Sequence, residues 1–185
     1  MSPTNHVTPM GDDADPVVVE LFRHNLWANL RLIGACEQLE PERLKASAPG
    51  TFGQVFNTLV HIVAAEEWYI LLLTGRRPAE RMSSDKPPSL AELRARAQRT
   101  GERLLELART LNPAQRAHWK EQDENVSVSG AQLLTQAIYH ATEHRTHVKT
   151  ILSQNGTEHM HLSEWAHLID DGGATAPRAF QLYAD

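Results

Sequence analysis

Two histidines four residues apart, His140 and His144, stand in the run Gln136-Ala137-Ile138-Tyr139-His140-Ala141-Thr142-Glu143-His144. On a helix this spacing places both side chains on one face, about one turn apart. Two imidazoles so placed can reach a single ion at about 2.0–2.2 Å. Leu133, Ala137, Val148 and Ile151 share the face, so the pair points inward. A third histidine, His61, lies among aliphatics in Thr58-Leu59-Val60-His61-Ile62-Val63. Gln54, Asn57 and Thr58 form a polar stripe on the same side, which suggests a wet cavity between helices. Alone, His61 reads as a hydrogen-bonded core residue. Alone, one such pair among ten histidines reads as a coincidence. Together the three point to a divalent-metal site built from facing helices. Three imidazoles leave Zn²⁺ or a similar ion one open position, the mark of a catalytic rather than a structural site. A thiol or water there would lose its proton more readily and become a nucleophile.

Other chemistries fit less well. The residue after His140 is Ala141, so the His-Glu-x-x-His pattern of zinc proteases is missing. A di-iron bundle needs Glu-x-x-His on two long facing helices. The pairs Glu158/His161 and Glu164/His167 fall in the short tail and read as surface residues. There is no Ser-His-Asp order, no glycine-rich phosphate loop and no cysteine beside a histidine, so no catalytic side chain is named and any chemistry depends on the metal. Cys36, the one cysteine, excludes a disulfide scaffold and a cysteine-rich zinc site. It reads as a small buried apolar residue. His147 lies on the side of His140 and His144, where an additional ligand, a group behind the ligands and a surface residue are all open readings.

The elements that must position these residues are helical. Asp15-Pro16 predicts a helix start, and Val18, Leu21, Phe22, Asn25, Ala28, Leu32, Cys36 and Leu39 carry the period as far as Glu40-Pro41. A second helix, apolar almost all round, opens at a capping box Thr51-Phe52-Gly53-Gln54 and stops at Gly75. Residues 76–88 read as a long crossover loop. A third helix runs from the capping box at Ser89 to Asn112-Pro113, with Arg94, Arg96, Arg99, Arg103 and Arg109 as a solvated face. Residues 118–128 read as irregular, with a short extended piece at 125–129. The fourth helix opens at the capping box beginning Ser129 and ends at Gly156. A short helical tail is predicted around Leu162 to Ile169. The fold class is all-α: a four-helix bundle over 15–170 with a long crossover loop and a short C-terminal helical tail. Residues 1–14 read as a flexible tail and 171–185 as an irregular one.

Composition narrows the partners. Apolar residues make up 41% and charged residues 22%, as in an ordinary folded domain. A net charge of -5 disfavours nucleic acid and anionic membranes. No uninterrupted apolar run approaches the roughly 18 residues of a bilayer span. Met1 to Asp15 is polar and acidic, with no signal-peptide core, so a cytoplasmic protein is expected.

Three segments together resemble the DinB/YfiT-like family: His24-Asn25-Leu26-Trp27-Ala28-Asn29, Thr58 to Glu66, and His140-Ala141-Thr142-Glu143-His144 followed by Gly156. The resemblance covers about residues 16–156. It implies a four-helix bundle with His61, His140 and His144 as ligands to a divalent ion, zinc or nickel above others, and a homodimer. It implies a pocket-shaping or packing role for Asn25, Trp27 and Asn29. It also implies a metal-dependent transferase that joins a low-molecular-weight thiol of the bacillithiol or mycothiol type to a small electrophile. The alternative is a non-catalytic metal-binding stress-response or small-ligand-binding bundle. The sequence departs from the family pattern at Glu143, where many relatives have histidine, and at Arg145-Thr146-His147, where Arg-Gly-Gln is usual.

Overall fold

The computed structural model describes residues 14–77, 80–157, 162–163 and 166–167. The expected C-terminal tail, most of the N-terminal one, and Glu158, His161 and Glu164 lie outside them. So does most of the helical candidate near Leu162.

The chain is mostly helical, with one small sheet. Helix α1 (Pro16–Cys36) starts as expected, with the Asp15 carboxylate accepting from the Val17 N–H at 2.9 Å and Pro16 in the first turn. It stops at Cys36, short of Pro41, and a separate turn of helix, α2 (Pro41–Leu44), follows. Helix α3 (Val55–Thr74) begins later than the expected capping box. Thr51 Oγ1 donates back to the Ala48 carbonyl instead of capping, and Gln54 supplies no side-chain bond. Gly75 ends α3 at φ 70, a left-handed position that favours glycine. Helix α4 (Leu90–Thr110) opens on the predicted Ser89/Glu92 capping box.

An antiparallel hairpin then replaces the expected irregular stretch: β1 (Arg116–Glu121) pairs with β2 (Glu124–Ser129) from Arg116↔Ser129 to Glu121↔Glu124. Its two-residue turn uses Gln122 at φ 53 and Asp123. The extended piece expected at 125–129 becomes β2, but without an Asn-Gly signal, and with mostly polar strands, nothing local announces β1 or the pairing. Helix α5 (Gly130–Gln154) follows directly, on the predicted Ser129/Gln132 capping box.

Helix α1 packs on α4 and α5, and α3 packs on the same two. Gly101 of α4 admits Leu26 of α1 at close range, since a Cβ there would sit 2.5 Å from Leu26 Cδ1. The apolar interior falls into two clusters. One gathers Leu32, Ile33, Leu59, Leu93, Val148 and Ile151. The other gathers Phe22, Tyr69, Ile70, Leu104, Leu133 and Ala137. Between them every long helix contributes buried polar residues: Asn25 and Asn29, Glu66, Thr100, His144 and Arg145.

Helix α3 adds a detail to one sequence expectation. Although no uninterrupted apolar run is long enough, its best 18-residue window averages a hydropathy of 1.3, sufficient by length and composition for a span. Its position against α4, α5 and the hairpin accounts for that composition, since a helix covered on several sides is apolar all round.

Candidate metal centre

The inward periodicity of α3 and α5 brings His61, His140 and His144 together: one ring nitrogen from each lies within 4.8 Å of the others. His61 Nε2 and His140 Nε2 are 2.9 Å apart. Around a tetrahedral ion held at about 2.0–2.1 Å, nitrogens stand about 3.3 Å from one another. The three rings are therefore within small side-chain rotations of a shared vertex, and they could hold a metal ion.

His144 is buried, and His61 and His140 are half-buried. Burial lowers the basicity of all three. For His140 burial, with His144 and His61 beside it, brings the pKa down to about 4. The lowered basicity favours the uncharged imidazole, the form in which a ring nitrogen can bind an ion. Neutral imidazole suits zinc, nickel and their neighbours.

Two residues not picked out from sequence frame the cluster. Phe52, in the loop before α3, stacks on His61 at 4.2 Å and meets His144 edge-on at 4.8 Å. Tyr69 approaches His140 edge-on at 6.0 Å. His147 is half-buried and is not part of the converging trio. Its Nδ1 lies 3.3 Å from Nδ1 of His144, where it can fix that ring's orientation.

Beside the cluster runs a second polar group, buried except at Thr142. Glu66 of α3 accepts from Asn25 Nδ2 and Asn29 Nδ2, both at 2.8 Å, and from Thr100 Oγ1 at 2.5 Å. Arg145 of α5 donates to Asn25 Oδ1 at 2.6 Å, Asn29 Oδ1 at 2.8 Å and Thr142 Oγ1 at 2.9 Å. The two asparagines thus bridge a buried acid to a buried base. Burial raises the Glu66 pKa, while Thr100, Asn25, Arg145 and Asn29 oppose the rise. Burial brings Arg145 down to about 10 against the pull of Glu66. Because Arg145 follows His144 directly, this network anchors the helix that presents two of the three imidazoles.

Asn25 and Asn29 therefore belong to a buried hydrogen-bond network. Trp27 points elsewhere, tilted against His24 at 5.6 Å and under the Arg31 guanidinium at 5.5 Å. The polar stripe on α3 divides likewise. Thr58 is buried and returns its hydroxyl to the Gln54 carbonyl, while Asn57 and His61 line a cavity of about 810 Å³ against the crossover loop. Cys36 is buried, and burial pushes its thiol up to about 12, so it supplies no nucleophile.

Fold and site define a class: a helical protein in which two packed helices direct three imidazoles to one point. The sequence model of the DinB family matches residues 5–171, and the chain belongs to the DinB family. No curated protein matches it at a significant level.

Proposed function

We propose that the protein is a cytoplasmic four-helix bundle that binds one divalent ion, zinc or nickel, through His61, His140 and His144. It uses the ion to transfer a low-molecular-weight thiol to a small electrophile. The observation that carries this reading is the convergence of three imidazoles beside an open cavity. A divalent ion bound there would supply an open Lewis-acidic position that lowers the pKa of a thiol. The chain's own residues hold the geometry. Phe52 restricts His61 and shields one side of the cluster from water. His147 orients His144, and the Glu66–Asn–Arg145 network fixes α5 against α1 and α3.

Titration of the cobalt-substituted protein with a low-molecular-weight thiol tests the reading. A sulfur-to-cobalt charge-transfer absorption, absent in His61→Ala, supports it, as does metal-dependent consumption of thiol with an electrophile. A cobalt spectrum unchanged by thiol would instead leave a metal-binding bundle without this turnover.

A homodimer belongs to the same proposal. Val17, Leu21 and Tyr139 are 66%, 46% and 71% exposed. Leu21 and Tyr139 border an apolar groove of about 660 Å³ formed by α1, α4 and α5. A second copy covering that groove would give twice the monomer mass in light scattering, and Tyr139→Glu would return it to monomer.

A further inference from the structure

The cavity beside His61 has a character that three imidazoles do not explain. Its volume of about 810 Å³ is that of a small-molecule pocket. Phe52, Phe56 and Trp68 give it flat apolar walls, and Trp119 of the hairpin packs edge-on behind Trp68 at 5.5 Å. Across from α3, the crossover loop contributes Arg77 and Arg81. Both arginines are exposed residues, and neither makes an ion pair among the described residues.

The acid in the wall, Glu67, is already neutralised. Arg96 of α4 grips it with two hydrogen bonds, at 2.8 and 3.1 Å, and also donates to the Glu80 carbonyl of the loop. That arrangement corrects the expectation of a wholly solvated arginine face on α4: Arg96 is half-buried and ties the loop to α3 and α4. The other acids of the loop, Glu80 and Asp85, do not line the cavity. The lining is therefore net positive in a molecule of net charge -5.

From this arrangement we infer that the cavity binds a small organic carboxylate with a planar, unsaturated body. Its acid group lies on Arg77 and Arg81, its body lies against the aromatic side of the cavity formed by α3, and its far end is directed toward His61. Guanidinium groups match carboxylates through paired hydrogen bonds, and aromatic faces match planar conjugated carbon. The inference deepens the transferase reading by giving one of its two substrates a chemical class. The carboxylate could belong to the thiol or to the acceptor, since both would meet at the cluster.

The test is calorimetric titration of metal-loaded and metal-stripped protein with trans-cinnamate and its neutral isostere cinnamamide. The acid is expected to bind about tenfold or more tightly than the amide in both forms. The double variant Arg77→Gln/Arg81→Gln should lose that preference at an unchanged melting temperature. Displacement of cinnamate by mercaptosuccinate, but not by 2-mercaptoethanol, assigns the arginines to the thiol. Failure of mercaptosuccinate to displace it assigns them to the acceptor. Equal binding of acid and amide, binding of neither, or a preference that survives the double substitution overturns the inference; survival in the metal-loaded form alone would place the carboxylate on the ion. A carboxylate preference in the metal-stripped protein stands even if the cobalt experiment fails, so the two failures are distinguishable.

Discussion

The histidine cluster and the Glu66–Arg145 network share α3 and α5 at nearly the same level, yet they differ in what completes them. Every polar atom named in the network finds its partner within the protein, across all four long helices. The cluster directs three lone-pair donors at one another and one side of it meets a cavity, so it is completed from outside. Buried charges are tolerated when their hydrogen bonds are filled, and breaking such a set leaves a charge stranded. Uncharged imidazoles carry no such penalty. The network should therefore govern folding, and the cluster should govern ligand binding.

The largest effect should come from Arg145→Leu. It strands Glu66 and two amide oxygens, and should lower the stability of the metal-free protein by about 3–5 kcal/mol in urea unfolding. A smaller loss than His144→Ala produces, itself about 1 kcal/mol, would erase the distinction. Next, Zn²⁺ at about a hundred times its Kd should raise stability by about 2.7 kcal/mol, and should add almost nothing to His140→Ala. Asn29→Ala should cost about 2 kcal/mol by removing one of the two amide bridges between Glu66 and Arg145, while the variant that still folds keeps its one ion.

The pH response sharpens the contrast further. The imidazoles resist protonation in the fold, so the unfolded chain takes up protons first. This contribution is fully present above the unfolded pKa of about 6.5 and is lost as pH falls toward the His140 value of about 4. Metal-free melting temperatures should fall across that window, and the fall should shrink in His140→Ala. The smallest effect concerns Cys36, whose raised pKa should leave it unreactive toward a disulfide reagent until the protein unfolds.

Much of the scaffold is legible in the sequence because its signals are local. The Ser89/Glu92 and Ser129/Gln132 capping boxes and the stop at Gly75 appear where the residue types place them. The spacing of His140 and His144, joined to His61 by two inward helical faces, is enough to foresee the cluster. The hairpin at 116–129 is only half legible: the alternation at 125–129 marks β2, while β1 and the pairing are not legible, since the turn lacks a strong signal. Phe52 was hidden because Thr51-Phe52-Gly53-Gln54 imitates a helix cap while the chain uses it as a loop. Glu66 and Arg145 did leave a signal: each interrupts an apolar helical face, between Ile62 and Ile70 and between Ala141 and Val148. Their pairing through Asn25 and Asn29 depends on three helices meeting, which no local spacing records.

Metal stoichiometry and affinity, measured by calorimetric titration of the metal-stripped protein with Zn²⁺, test the shared site most directly. The wild type should bind one ion per chain, and His61→Ala, His140→Ala and His144→Ala should each weaken it by about a hundredfold or more. Wild-type affinity in any one of these variants would mean that the three imidazoles do not hold a common ion.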